Sequence, residues 1–99
     1  MKKRLINICD QIFDFLVHRK DAPLTQLKIV IKKMEIVLEV RRNPTVDKNE
    51  FKVGKYLLRY HYNVSVANKE EVNITLLDDK EAPLYTRSLE NNEFTTILY

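Results

Sequence analysis

With 99 residues, 44% of them hydrophobic, the chain has room for one domain and one modest core. Its 17 basic and 14 acidic residues leave a net charge of only +3, too little by itself to imply a nucleic-acid partner. One cysteine excludes an intramolecular disulfide framework, one glycine excludes a glycine-rich phosphate loop, and no apolar run approaches the ~20 residues of a membrane span.

The opening segment MKKRLINICDQIFDFLV is basic and then apolar, as a leader peptide would be. Asp10, Gln11 and Asp14 interrupt its apolar part, however, and no small-residue cleavage site follows, so a cytosolic protein is expected. The segment reads as a helix over residues 3–20. Leu5, Ile8, Cys9, Ile12 and Leu16 recur at helical spacing, with Lys3, Asn7, Asp10 and Asp14 on the opposite stripe. Arg19 and Lys20 suit the helix C-terminus, and Asp21-Ala22-Pro23 ends it. Phe13, Phe15 and Val17 widen the apolar face beyond what one sheet covers. The helix is therefore expected to pack on two sides, against the sheet and against a second subunit.

Residues 24–42 fit two patterns. Leu24, Leu27, Ile31, Met34 and Leu38 make a helical stripe. Leu27, Ile29 and Ile31, followed by Met34, Ile36, Leu38 and Val40, make strands whose parity changes at Lys32-Lys33 through a bulge or tight turn. The β-branched Ile29, Val30, Ile31, Ile36, Val37 and Val40 favour strand.

Asn43-Pro44-Thr45 signals a turn and residues 46–50 a polar loop. The organising element is KYLLRYHYNVSV, Lys55 to Val66. Tyr56, Leu58, Tyr60, Tyr62, Val64 and Val66 alternate there with Lys55, Leu57, Arg59, His61, Asn63 and Ser65, the period of a half-buried strand. That strand starts as early as Phe51, with Gly54 as a bulge or close approach. Val72, Ile74 and Leu76 complete a hairpin after a connection at residues 68–71. A turn follows over 78–83, and LYTRSLENNEFTTILY reads as two short strands around Glu90 to Glu93. The expected fold is α+β, a single domain over 1–99, with an N-terminal helix packed on a mainly antiparallel meander.

Catalytic chemistry has little to stand on. Cys9 lies on the buried stripe of the helix, and neither it nor His61 has a partner at motif spacing, so no catalytic residue is assigned and no enzyme is expected. No histidine or cysteine pair has metal-ligand spacing. Asp78-Asp79 and Glu81 lack the alternating carboxylates and glycine of a calcium loop, so neither metal nor cofactor is expected. Binding remains. Basic residues cluster as Lys2-Lys3-Arg4, Arg19-Lys20, Lys32-Lys33 and Arg41-Arg42, and Lys55, Arg59 and His61 share one face of the central strand. Arg41, Arg42, Lys55, Arg59 and His61 are thus the candidate partner-binding strip, on or beside the sheet, for a protein first and for nucleic acid second. Tyr56, Tyr60 and Tyr62 leave the opposite face, so they belong to the core with their hydroxyls at its rim, not to a base-stacking platform. Surplus apolar surface points to a homodimer.

The segments KIVIKKMEIVLEVRR and KVGKYLLRYHY show a composition dense in Lys, Glu, Ile, Val and Tyr and poor in Gly and Cys. In this the whole chain resembles the small orphan proteins of filamentous viruses infecting hyperthermophilic archaea. The resemblance implies a thermostable, virus-encoded binding or assembly protein acting in the host cytoplasm or the virion, and it carries over no functional residue.

Overall fold

The computed structural model describes residues 2–18, 24–31, 34–42, 49–64, 67 and 69–99. Helix α1 (Lys2–His18) precedes strands β1 (Leu24–Ile31), β2 (Met34–Arg41), β3 (Asn49–Val53), β4 (Tyr56–Val64), β5 (Glu70–Leu77), β6 (Pro83–Glu90) and β7 (Glu93–Leu98). Strands β3 to β7 form one five-stranded antiparallel meander in chain order, and β1 and β2 form a separate antiparallel hairpin. The fold is the expected α+β. The expected helix end at Arg19 to Pro23, the turn at Asn43-Pro44-Thr45 and the strand end at Ser65-Val66 lie outside the described residues.

Alternation on β4 sets the sheet. Leu58, Tyr60 and Tyr62 are buried and stand opposite Leu76, Ile74 and Val72 of β5, also buried. The same face continues through Tyr85, Arg87 and Leu89 of β6 to Leu98, Thr96 and Phe94 of β7. Helix α1 lies on this face, over β5 and β6. The other face carries Arg59, Thr75 and Thr86 in one row and His61, Asn73 and Ser88 in the next, and is polar.

Two turns show local chemistry at work. Gly54 takes φ +59° at the first central position of the β3–β4 turn, where a II′ hairpin needs positive φ; a Cβ there would touch nothing within 4 Å, so the demand is conformational. Gly54 is thus a turn, not a bulge, and residues 49–53 form a strand of their own where the polarity of Asn49 and Glu50 suggested a loop. Asn91 and Asn92, at φ 53° and 63°, close β6 onto β7 as a type I′ turn demands.

The segment that fitted both helix and strand is strand, with Ile31 paired to Met34 across Lys32-Lys33. It also answers what covers the part of α1's apolar face that the sheet leaves. Leu38 and Val40 are buried in one core with Leu5, Ile8, Cys9, Ile12 and Phe15, while Leu27 and Ile36 pack half-buried against it. Arg4 donates from its guanidinium to the carbonyl of Val30. The second layer on the helix is the chain's own hairpin, so the width of its apolar face is no argument for a second subunit. Leu38→Ala should therefore cost about 2–5 kcal/mol in urea unfolding. Val37→Ala, on the exposed face of the same strand, should stay within about 0.5 kcal/mol. Equal small effects would mean that the hairpin does not dock.

Candidate functional site

The five basic candidates do not form one strip. Arg41 and Arg42 reach the hydroxyls of Tyr60 and Tyr62, which leave β4 on the helix side, whereas Arg59 and His61 leave it on the opposite side. Arg41 donates its backbone N–H to Tyr60 Oη at 3.0 Å, and its guanidinium lies 3.6 Å from Glu39. Arg42 donates to Tyr62 Oη at 2.7 Å and to Glu70 Oε1 at 2.6 Å, with its guanidinium carbon 4.8 Å from the Tyr62 ring centre. Arg59 is held between two carboxylates, Glu50 at 2.7 Å and Glu81 at 2.9 Å, which push its pKa further up. Lys55 sits in the β3–β4 turn with its ammonium 6.0 Å from the Tyr56 ring centre. His61 borders a shallow hollow of about 160 Å³ with Glu71, Asn73, Ser88 and Glu90. Three of the four cations are thus engaged by acids of this chain, which lowers the charge they present to a phosphate.

The larger open cleft, about 640 Å³, lies beside the β3–β4 turn and is lined by Glu50, Asp78, Asp79 and Glu81 against Lys52 and Lys55. Its acids outnumber its bases. Among the described residues, no group of three or more histidine, cysteine or acidic side chains is placed to hold a metal ion.

Burial governs the nucleophile and the tyrosines. Cys9 is fully buried, and desolvation, with the Asp10 charge adding to it, pushes its thiol up to about 12. Tyr60 and Tyr62 are raised chiefly by burial. Tyr85 is raised by burial and by donating to Asp10 Oδ1 at 2.6 Å. Arg87 joins that contact at 3.2 Å and lies 4.4 Å over the Phe13 ring, clamping α1 to β6. Asp14 lies exposed on the stripe opposite the apolar one, as expected, 3.9 Å from Arg87, and Asp10 sits at that stripe's edge, part-buried against Arg87.

A feature with no place among the sequence candidates lies at the far edge. Every residue of β7 is exposed, with Phe94 at 60%, Ile97 at 42%, Leu98 at 67% and Tyr99 at 59%. Helix α1 reaches it through an edge-to-face contact of Phe13 with Phe94, ring centres 6.1 Å apart. Tyr99 donates its N–H to the Leu84 carbonyl at 3.1 Å, which fixes the hydrogen-bonding phase of the ladder. Residues 93, 95, 97 and 99 turn their backbone groups to β6, and Phe94, Thr96 and Leu98 turn theirs outward. No described strand pairs with them. Lysine, arginine and proline, which blunt natural sheet edges, are missing from β7, whereas the other edge, β3, carries Glu50 and Lys52. Comparison of the chain with protein-family models, curated proteins and solved structures finds no match.

Two outcomes follow from this geometry. Arg42 and Glu70 have side chains only 9% and 18% exposed, so Glu70→Gln should destabilise by about 3 kcal/mol by stranding a buried charge. Glu50→Gln, at the more open Arg59, should shift the urea midpoint far less, both read by urea titration. Cys9, Tyr60, Tyr62 and Tyr85 all have folded-state pKa values above their ordinary 9.0 or 10.0, so the fold holds their protons longer than the unfolded chain does. Their contribution is complete below pH 9 and is lost as pH rises beyond it. Urea midpoints should be level between about pH 7 and 8.5 and fall by about pH 10.5; a midpoint that rises there would contradict the burial of these groups.

Proposed function

We propose that this protein is a non-enzymatic protein-contact module that extends its sheet by accepting a strand at the β7 edge. The observation that carries this is an unpaired edge with three outward-facing backbone positions, flanked by exposed Phe94 and Leu98. Strand addition draws affinity from main-chain hydrogen bonds and specificity from alternate side chains, and β7 offers both. The remaining features support the same reading. Arg41, Arg42 and Arg59 are engaged by Glu39, Glu70, Glu50 and Glu81, and the cysteine is buried with its thiol held protonated. Among the described residues, no helix is long and apolar enough to cross a membrane. The compositional likeness to viral proteins favours a role in assembly, in a host cytoplasm or a virion.

Amide hydrogen exchange with an excess of a probe strand, a heptapeptide of alternating threonine and valine, tests this. The amides of Phe94 and Leu98 should be protected at least about tenfold relative to Thr96→Pro, which removes only the outward N–H between them. Unprotected amides in excess probe would overturn the proposal. Labelled duplex and single-stranded DNA at about 50 and 200 mM salt supply the competing arm. Salt-steep binding weakened by Arg59→Ala would replace strand addition with nucleic-acid recognition.

A further inference from the structure

Resting on that reading, we infer that the strand β7 accepts is the β7 of a second copy of this chain, antiparallel and centred on Thr96. The edge is its own complement. Its outward backbone groups belong to Phe94, Thr96 and Leu98, spaced symmetrically about Thr96. In an antiparallel ladder, two residues form a hydrogen-bonded pair only if both turn their groups toward the partner. A two-fold axis through Thr96 sets Phe94 opposite Leu98 of the other copy, Thr96 opposite Thr96, and Leu98 opposite Phe94. Each pair exchanges two bonds, so all three outward positions are used. Centring on Thr95 or Ile97 leaves one of the three unmatched.

The side chains sort correctly in the same register. Phe94, Thr96 and Leu98 share the helix-side face, so aromatic meets aliphatic on both flanks and the two threonines meet at the axis, pairings that favour antiparallel strands. Charge is compatible as well. Glu93 is the only charged side chain on β7, and it falls opposite Tyr99 and not opposite its own copy. Phe94, Leu98 and Tyr99 each expose about three-fifths of their surface, and large side chains of this kind offer on the order of 150–250 Å². With Ile97 the exposed apolar surface at this edge is at most roughly 400 Å² per copy, of which pairing covers the part turned to the partner. The paired backbone and Thr95 and Thr96 add to it toward the ~800 Å² typical of a stable interface. The product is one continuous sheet of two five-stranded halves, with both helices on the same face.

The test is sedimentation equilibrium of the full chain over a range of concentrations, with two double variants. Phe94→Lys/Leu98→Lys sets like charges opposite each other in this register and should weaken dimerisation at least about tenfold. Phe94→Lys/Leu98→Glu sets opposite charges across the same pairs and should restore most of the loss. Thr96→Cys should give a disulfide-linked dimer faster than Thr95→Cys or Ile97→Cys, with the buried Cys9 silent. A dimer that the lysines do not weaken, or that the Lys/Glu variant does not recover, overturns the register. A monomer whose β7 amides are protected by the probe strand overturns the second copy as occupant and leaves strand addition standing. A monomer that ignores the probe overturns both.

Discussion

Helix α1 sets the terms for the rest of the molecule, because its buried positions make a face wider than the two strands beneath it cover. Leu5, Cys9, Ile12 and Leu16 alone would make an ordinary one-sided helix; Ile8, Phe13, Phe15 and Val17 are buried as well. An apolar face this wide needs cover from more than the sheet. Its own start gives it no help, since the first turn holds no acid and carries Lys2, Lys3 and Arg4 where the helix dipole disfavours cations. Burial must therefore supply its stability. The sheet covers one part of that face and buried Leu38 and Val40 of the β1–β2 hairpin cover another, while Lys3, Arg4, Asn7, Gln11, Asp14 and His18 stay exposed.

Apolar layers resist separation but slide easily, and polar contacts at the two sides of the helix fix where they sit. Toward β6, Asp10 accepts from Tyr85 and pairs with Arg87, whose guanidinium also covers the Phe13 ring. Toward β4, the end of the hairpin is tied by Arg41 to Tyr60 and by Arg42 to Tyr62 and Glu70. Each clamp has an aromatic body in the core and pairs its charge with a carboxylate, although Arg42 Nε is buried without a hydrogen-bond partner. The arginines that resembled a ligand strip in one dimension are, in three, the fasteners of the fold.

Local pattern was legible and long-range pairing was not. The alternation from Tyr56 to Val64 declares a strand because tyrosines and valines fall on one parity and Arg59, His61 and Asn63 on the other. Over Leu24 to Arg41 the spacing fits both periods, and only β-branching separates them. Nothing local tells that Arg59 meets Glu81, or that Asp10 meets Arg87 seventy-seven residues later. Those contacts depend on strand register and on which sheet face takes the helix. The surplus of apolar residues was legible too, but its destination was misplaced. Part of that on α1 goes to the hairpin. Among the described residues the rest stays exposed on Leu24, Val30 and Val37 of the hairpin, on Val64, and most densely on β7, which no pattern in FTTIL distinguishes from an inner strand.

That exposure follows from widths. A helix with its side chains is about 10–12 Å across and strands are about 4.8 Å apart, so one helix roofs roughly two strands. Here it roofs β5 and β6, where Val72, Ile74, Leu76 and Tyr85 require it. A five-stranded sheet then has uncovered strands on both flanks. On the β4 side the hairpin's end and the stacking of Phe51 on Tyr60 close the gap, and β3 ends the sheet with charges. On the β7 side the chain has spent its helix and its hairpin. Covering Phe94 and Leu98 would mean drawing α1 off β5 and opening the core that holds it. The apolar edge is the remainder left by a fold with one helix too few for its sheet, and a strand from another chain is the element that fits it.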